Sequence, residues 1–435
     1  MINRYSRQIM RDVWSDQSKY AIWFEIEMLA HEAMESIGLI ESGLTKKIRD
    51  KLNNITFDVG RISEIESKTH HDVIAFLTFI SEKIGEREAR YLHQGMTSSD
   101  ILDTCLCIQL KKSSYLIRED LTALLKELSK KAEEYKYLPT IGRSHGIHAE
   151  PTTVGLKFAQ AYAEFDRALK RMEIAEKEIS ICSLSGSVGT FANIDPRIEK
   201  YVANKLSLNI ETISTQIIPR DRFAYFFASL GVLAGSIERI STEIRHLQRT
   251  EVDEMSEQFQ EGQKGSSSMP HKRNPVLTEN LTGIARLIRG AVTPALENIS
   301  LWHERDISHS SVERVIGPDT TILMDFALSR LTNVIKNIVV NKKNIKVNLD
   351  KLNGLIYSQR ILLLLTQKGV SREDGYDMVQ KNAAKSWDKQ SDFKKIILSD
   401  KGIMEILTKE EVDSLFSLEY HLKNVDYIFD NVFGE

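Results

Sequence analysis

The stretch MTSSDILDTCLCIQLKKSSYLIREDLTALLKELSKKAEEYKYL, residues 96–138, decides the fold class of this sequence. It contains neither glycine nor proline, the two residues that most often interrupt a helix. Within it, apolar residues recur every three or four positions, as they do on one face of a helix: Ile117, Leu121, Leu124, Leu128 and Ala132. The window is far longer than the mean helix of about 11–12 residues, so we predict a long helix here.

Two further windows, residues 236–261 and 319–353, also lack glycine and proline. All eight prolines lie between Pro139 and Pro318, so the ends of the chain lack the strongest helix breaker. We find no series of alternating runs bounded by two-residue turns, which would indicate strands. The sequence therefore predicts an all-α protein: a helical region at 1–95, a central bundle of long helices at 96–350, and a helical tail at 351–435.

The composition is that of an ordinary globular protein. The 435 residues carry a net charge of −3, with 42% hydrophobic and 27% charged residues. The near-neutral balance argues against a protein that binds nucleic acid through a broad basic face. The N-terminus lacks the apolar core of a signal peptide, and no run approaches the roughly 20 apolar residues of a membrane span. Three cysteines cannot all pair within one chain, so we predict a reducing, cytoplasmic location.

Loop-forming residues are concentrated in three clusters within the central region. They are RSHGIHAEPTT at 143–153, SLSGSVGTFANIDP at 183–196 and GQKGSSSMPHKRNP at 262–275. The third combines three hydroxyls, several cations and free backbone amides, so it is suited to wrap an anion and exclude water. Its composition equally fits a solvated glycine–serine hinge. It is not a nucleotide-phosphate loop of the GxxxxGK[ST] type.

The segment GSSSMPHKRNP at 265–275 resembles the GSSxMPxKxNP signature of the fumarase/aspartase superfamily, whose members make or break fumarate by β-elimination. Further segments are similar to the adenylosuccinate lyase family: RYS at 4–6, HDV at 71–73, GMTSSD at 95–100, RSHGIHAEP at 143–151, STQ at 214–216 and WHERDIS at 302–308. Two positions depart from the pattern. Ser144 replaces a common threonine and keeps the hydroxyl, whereas His70 replaces a common arginine and weakens one expected anion contact.

The resemblance implies a three-domain fold and a carbon–nitrogen lyase. Such an enzyme eliminates fumarate from adenylosuccinate to give AMP, and from the succinyl-carboxamide ribotide SAICAR to give AICAR. The family requires no metal and no organic cofactor, and no His or Cys spacing here matches a zinc site. It also implies a homotetramer whose active sites are shared between subunits, with a nucleotide as the small-molecule partner and neither nucleic acid nor membrane.

By the same resemblance, His145 is the general acid that protonates the departing nitrogen, and Ser266 is the base. A serine hydroxyl is a poor base unless its alkoxide is stabilised, which neighbouring amides and Lys272 would do once the loop closes. From residue type alone, a loop histidine that only hydrogen-bonds backbone is the more common interpretation of His145. The adjacent Ser267 and Ser268 leave open which serine acts.

The remaining expected contacts bind substrate. For carboxylate we expect Thr97, Ser98, Lys272 and Asn274; for phosphate Arg305, Ser310 and Arg314; and as further contacts Arg4, Tyr5, His70, His71, Asp72, Gln216, Ser267, Arg273 and Asn280. Several have ordinary alternatives. Thr97 and Ser98 fit a helix N-cap, His71 fits a solvated helix face, and Arg314 with Ser310 fits a surface pair.

Three alternatives remain at this stage. Argininosuccinate lyase would share the 262–275 loop but is not expected to show the set Arg4–Tyr5, His71–Asp72 and Ser310/Arg314, which implies a phosphate-bearing substrate. A non-catalytic scaffold of the same fold would be expected to lose the acid or base, and His145 and Ser266 are both present. A nucleic-acid-binding bundle is disfavoured by the charge balance.

Overall fold

The computed structural model describes residues 2–434, and helices dominate this part of the chain. In chain order the α-helices are α1 (Gln8–Val13), α2 (Asp16–Ser36), α3 (Leu44–Lys51), α4 (Val59–Thr69), α5 (Asp72–Ile84), α6 (Glu86–Ala89), α7 (Ser98–Glu134), α8 (Val154–Ile179), α9 (Pro196–Leu206), α10 (Asp221–Gln248), α11 (Val276–Gly290), α12 (Val292–Glu297), α13 (Ser308–Lys336), α14 (Lys342–Asp350), α15 (Ser358–Gln367), α16 (Arg372–Lys389), α17 (Phe393–Ser399), α18 (Lys401–Met404), α19 (Lys409–Leu415), α20 (Glu419–Leu422) and α21 (Val425–Phe433). Short 3-10 helices span Asn3–Tyr5 and Leu355–Tyr357.

The strands of residues 2–434 form small two-stranded sheets. They are β1 (Pro139–Ser144), β2 (Ile147–Thr153), β3 (Ile181–Cys182), β4 (Asn209–Ile210), β5 (Met255–Ser256) and β6 (Val339–Val340). β1 pairs with β2 and β5 with β6 in antiparallel fashion, whereas β3 and β4 are parallel. The prediction of an all-α fold class is confirmed, because these sheets are minor additions to a helical protein.

Helix α7 confirms the long helix predicted from the 96–138 window. It is 37 residues long, and the side chains of its periodic apolar face are fully buried: Ile117, Leu121, Leu124, Leu128 and Ala132. At the start of α7, the carboxylate of Asp100 accepts a hydrogen bond from the Thr97 amide at 2.8 Å. This contact satisfies an amide that has no partner within the helix.

The other two breaker-free windows are not continuous helices. α10 ends at Gln248 and α13 ends at Lys336, although neither glycine nor proline follows directly. In each window a short strand comes next, and Met255 pairs with Val340 across β5 and β6. Tertiary pairing therefore ends both helices, and the absence of glycine and proline from these windows does not by itself predict where a helix ends.

The hairpin of β1 and β2 was not predicted. Its two-residue turn is His145–Gly146, and both residues adopt positive φ, 54° and 80°. Turns of this kind match the twist of the flanking strands but usually carry Asn-Gly or Asp-Gly. The alternation is also obscured by Pro151 and by a register shift between Ile141 and Arg143, so the sequence pattern was too weak.

The chain divides into two compact units, each with its own core. The first contains Met1–Thr122, Arg167–Glu238 and Leu281–Arg330, and the second contains Ala123–Asp166, Arg239–Asn280 and Leu331–Glu435. In the first unit, Tyr20 stacks on Phe76 with ring centroids 5.7 Å apart, and Trp23 meets Phe76 edge-on. In the second, Ile361, Phe393 and Val412 lie in an apolar cluster without solvent exposure.

Two further sequence expectations bear on the environment of the protein. Cys105, Cys107 and Cys182 are buried and unpaired with one another. Helix α10 is long and apolar enough to span a membrane by composition, and 67% of its most apolar window is buried. Such burial is what the core helix of a folded domain shows.

Candidate active site

In the first unit, polar side chains from α5 and α13 meet at a cavity. The carboxylate of Asp72 accepts a hydrogen bond from Nη2 of Arg314. Arg314 Nε in turn donates to Ser310 Oγ at 3.2 Å, one helical turn earlier on α13. Burial alone would raise the pKa of Asp72, but the hydrogen bond and positive charge of Arg314 lower it overall. The group therefore keeps an ionised carboxylate beside an arginine.

The cavity has a volume of about 300 Å³. Its lining includes four of the expected substrate contacts, Asp72, Arg305, Ser310 and Arg314. Two arginines and a hydroxyl converging on one concave surface suit a phosphate or carboxylate. The structure thus brings the three residues expected to bind phosphate to one place.

A second polar cluster of the same unit surrounds the start of α7. Gln216 Nε2 donates to Thr97 Oγ1 at 3.3 Å. His71 is the N-cap of α5, and its Nδ1 accepts from the Ile74 amide at 3.4 Å. The other ring nitrogen therefore carries the proton and donates to Ser98 Oγ, 3.3 Å away. These contacts bring together expected substrate residues that are far apart in sequence.

The buried carboxylate of Asp100 holds the backbone next to this cluster through hydrogen bonds. It accepts the amides of Thr97 at 2.8 Å, Ser185 at 3.1 Å and Gly186 at 3.2 Å. Burial raises the pKa of Asp100 to about 6, and the three amides offset only part of this effect. Asp100 thus joins the 95–98 loop to the 183–186 loop, the second loop cluster of the sequence.

Three expected contacts of the first unit lie outside these clusters. Arg4 is exposed in the N-terminal 3-10 helix, and the neighbouring Tyr5 ring packs 5.6 Å from that of Phe326. His70 ends α4 in the left-handed conformation, with φ of 52°, and its side chain is exposed. Its position two residues before Asp72 is compatible with an anion contact.

In the second unit, His145 occupies the exposed tip of the β1–β2 hairpin. The hairpin is anchored by Arg143, whose Nη1 donates to Glu254 Oε2 at 3.0 Å. The neighbouring His148 is half-buried; burial first, and then the charge of Arg143, lower its pKa. His145 is thus exposed at the turn of a paired hairpin.

Ser266 lies in the 262–275 loop of the same unit, and its hydroxyl is already surrounded by donors. Its Oγ accepts the amide of Ser268 at 3.3 Å and that of Met269 at 3.1 Å. Two amides aimed at one oxygen stabilise negative charge on it. Among residues 2–434, no hydrogen bond joins the side chains of Ser266 and His145, so the structure does not bring these two together.

The rest of the loop is tightly folded. A Cβ on Gly265 would lie 1.9 Å from the carbonyl oxygen of Lys272, so only glycine fits there. Asn274 Nδ2 donates to the Gly265 carbonyl at 3.0 Å, and the Arg273 guanidinium lies over the Phe259 ring at 5.0 Å. Expected substrate contacts Asn274 and Arg273 therefore also hold the loop, which is more ordered than a solvated hinge.

The side chains of Lys272 and Ser267 are exposed on this loop, where a substrate would meet them. Asn280 is half-buried in the second turn of α11. In the part of the chain that the structure describes, no group of three or more His, Cys, Asp or Glu side chains is arranged to hold a metal ion.

Comparison with known proteins gives the family. The chain is 50% identical over 432 residues to an adenylosuccinate lyase of Streptococcus mutans serotype c, covering 99% of each chain. It is 49% identical over 429 residues, again covering 99% of each, to an adenylosuccinate lyase of Staphylococcus saprophyticus. The chain belongs to the adenylosuccinate lyase family.

Two family models agree with membership of the adenylosuccinate lyase family, and a solved structure shares the fold. A model described as "Lyase" matches residues 3–290, and one described as "Adenylosuccinate lyase C-terminus" matches residues 354–432. A crystal structure of a fumarate lyase from Mesorhizobium sp. has a TM-score of 0.91 at 23% identity, covering 100% of this chain and 99% of that one. The resemblance seen in the sequence is thereby confirmed, and the chain is a lyase.

Two buried carboxylates, one in each unit, hold candidate site segments and were absent from the sequence-based set. Asp100 lies in the GMTSSD segment, so its spacing from Thr97 was a usable signal of an N-terminal helix contact. Glu257 accepts the amide of Leu277 at 3.1 Å, and both the amide and hydroxyl of Thr278, fixing the end of the 262–275 loop. The partners of Glu257 lie about twenty residues away in the chain, and no local sequence pattern predicts such a contact.

Proposed function

We propose that this chain cleaves the carbon–nitrogen bond of adenylosuccinate, releasing AMP and fumarate, and converts SAICAR to AICAR in the same way. The observation that carries the proposal is the cavity at which Arg305, Ser310 and Arg314 converge, because two arginines and a hydroxyl suit the 5′-phosphate that both substrates bear. Its relatives at about 50% identity bear the name of this activity.

The reaction needs a base, a stabilised carbanion and an acid. Ser266 would take the proton from the carbon beside a succinyl carboxylate, while Lys272 and Asn274 hold that carboxylate as negative charge builds on it. The electron pair then forms the fumarate double bond as the carbon–nitrogen bond breaks. His145 gives its proton to the departing nitrogen. The two amides on Ser266 Oγ support the serine as base, because they favour the alkoxide.

Substrate placement follows from the same set. Thr97, Ser98 and Gln216 form a hydroxyl and amide cluster suited to the other carboxylate. His71 contacts this cluster through Ser98, and the next residue, Asp72, lines the phosphate cavity. These two neighbouring residues would therefore lie near the carboxylate end and the phosphate end of the substrate. The chain offers no metal-binding group among residues 2–434, and the proposed steps use protein groups alone.

We further propose that the protein works as a homotetramer in the cytoplasm, with three helical domains at 1–95, 96–350 and 351–435. Exposed apolar side chains support an oligomer: Leu287 is 64% exposed and Val315 58%, both at one apolar depression of the first unit. The hairpin tip that carries His145 is free to reach a neighbouring subunit. The family match at 354–432 supports the last domain boundary.

Assay of fumarate release from adenylosuccinate, SAICAR and argininosuccinate tests the function. Fumarate from the first two only is the expected result. Release from argininosuccinate alone would keep the elimination chemistry but overturn the substrate assignment. Absence of fumarate from every substrate, with a folded oligomer, would favour the non-catalytic scaffold.

Subunit mixing tests the shared site. The variants His145→Ala and Ser266→Ala should each be inactive, and mixed tetramers should regain activity, because some sites then receive an intact histidine and an intact serine. Mixed tetramers that stay inactive would show that both residues come from one chain.

A further inference from the structure

A buried histidine stands directly behind one of the proposed phosphate ligands. Arg305 Nε donates to His309 Nε2 at 3.1 Å, and the other ring nitrogen of His309 lies 2.9 Å from Glu313 Oε2. The side chains of His309 and Glu313 are only 4% and 8% exposed. Neither residue belongs to the set expected to touch substrate, although both line the cavity.

The contacts of His309 fix its tautomer. Arg305 Nε can only donate, so His309 Nε2 must accept and carries no proton. The proton is then on Nδ1, which donates to the Glu313 carboxylate. In the opposite tautomer, the N–H of His309 Nε2 would point at the N–H of Arg305, and the lone pair of Nδ1 would point at the Glu313 carboxylate. Arg220 Nη2 also lies 3.0 Å from His309 Nδ1, but Asp103 and Glu313 can accept its two protons at 2.7 and 3.2 Å, so it does not require the ring as an acceptor.

Glu313 is itself hydrogen-bonded within a buried ion network. Arg220 donates from Nε to Glu313 Oε1 at 3.0 Å, and its two Nη groups form a bidentate pair with Asp103 at 2.6 and 2.7 Å. The side chains of Arg220 and Asp103 are 1% and 6% exposed. Buried, fully hydrogen-bonded ion networks of this kind hold their members in one geometry. The network therefore gives His309 a fixed platform.

The consequence for Arg305 is directional. Its Nε–H is committed to His309, so the two Nη groups remain for an anion in the cavity. On α13 the buried pair His309–Glu313 is offset by one residue from the pair Ser310–Arg314 at the cavity. The pair His309–Glu313 therefore orients Arg305 toward the cavity that Ser310 and Arg314 also line.

We propose that His309 and Glu313 are positioning residues that preorganise Arg305 for the substrate phosphate, a role that rests on the proposed function. They act through Arg305 and need not touch substrate. Preorganised donors bind an anion without the cost of ordering a mobile arginine. Loss of the His309 contact should thus weaken phosphate recognition and leave the elimination step largely intact.

Variants at His309 separate this role from a general defect. His309→Leu removes both ring contacts, His309→Asn keeps a polar side chain that is too short for Arg305, and His309→Gln keeps an acceptor within reach. We expect the KM for adenylosuccinate to rise about tenfold in the first two, as for loss of a charge-assisted hydrogen bond, with kcat little changed. His309→Gln should recover most of the affinity. Ser311→Ala, exposed on the same helix, is the control.

Two readouts distinguish positioning from structure. The inhibition constant of fumarate, which has no phosphate, and the KM of the dephosphorylated nucleoside substrate should not change. In an Arg305→Ala background, His309→Leu should have no further effect. A parallel loss for the nucleoside, or an additive effect with Arg305→Ala, would overturn the proposal.

Calorimetric measurement of the Kd for inorganic phosphate tests anion binding by Arg305 without turnover. Its Kd should rise about tenfold in His309→Asn and remain near the wild-type value in His309→Gln. An unchanged Kd in His309→Asn would overturn the positioning role. Absence of turnover by the wild-type protein would overturn the proposed function instead, so the two failures are distinguishable.

Discussion

The carboxylate of Asp72, at the first residue of α5, accepts a hydrogen bond from the guanidinium of Arg314 on α13, 242 residues further along the chain. The pair closes one wall of the cavity that we assign to the substrate phosphate. A bound phosphate would share the Arg314 fork with Asp72, so the carboxylate orients the arginine and also competes for it.

Arg314→Ala should raise the KM for adenylosuccinate by roughly tenfold to a hundredfold, because a charge-assisted contact to phosphate is lost. It should also raise the pKa of Asp72, which Arg314 now lowers against the effect of burial. Steady-state kinetics and NMR titration of Asp72 measure the two effects. Arg314→Lys should be intermediate. A KM within twofold of wild type would remove Arg314 from the phosphate site.

Ser266→Ala should lower kcat by roughly a hundredfold to ten-thousandfold, the range typical of a lost general base. Equilibrium binding of adenylosuccinate should change little, because the side chain is small and is not assigned to ground-state binding. Ser268→Ala, two residues along and exposed, is the matched control. Near-normal turnover in Ser266→Ala, or an equal loss in Ser268→Ala, would move the base elsewhere.

Gly265→Ala should cripple turnover without unfolding the protein. Its Cβ would lie 1.9 Å from the Lys272 carbonyl oxygen, so the 262–275 loop must shift and displace Ser266. A large drop in kcat with a nearly unchanged melting temperature is expected. The control is Gly262→Asn, at φ of 79° with no atom within 4 Å of the added Cβ. A fully active Gly265→Ala enzyme would argue against a fixed loop.

The buried carboxyl of Asp100 should make stability depend on pH. Its folded-state pKa is raised to about 6 by burial, above the ordinary value of 3.8, so the folded protein binds this proton more tightly than the unfolded chain. The resulting stabilisation is present at low pH and is lost as pH rises from about 4 through 6. It amounts to about 3 kcal/mol for two pKa units.

Urea unfolding at fixed protein concentration, compared between pH 5 and 7.5, measures this effect. The wild-type protein should lose stability with rising pH more steeply than Asp100→Asn, which cannot ionise at this position. Parallel pH profiles for the two proteins would contradict the raised pKa.

Local sequence patterns predicted what depends on local structure. Helix α7 could be predicted because the apolar residues that recur along its sequence form one buried face. The 262–275 loop could be identified because the residues of its signature are contiguous in sequence. The turn at His145 was missed because a left-handed histidine leaves little trace in a residue pattern.

Contacts between residues far apart in the chain could not be predicted from the sequence, for a different reason. Asp100 meets Ser185 and Asp72 meets Arg314 only after the helices have packed, and nothing in the spacing of these residues specifies a partner. The same holds for the Arg220 network behind Arg305, because nothing in the sequence indicates that Asp103, Arg220 and Glu313 pair with one another. Residue types suggested the ligands, and packing alone revealed what holds them.

The most direct test of the account follows adenylosuccinate by NMR in the presence of the purified protein. Wild-type protein should produce AMP and fumarate in equal amounts, with no added metal or cofactor, while His145→Ala and Ser266→Ala produce almost none. Adenylosuccinate that stays intact with folded wild-type protein would contradict the central claim that this site eliminates fumarate from it.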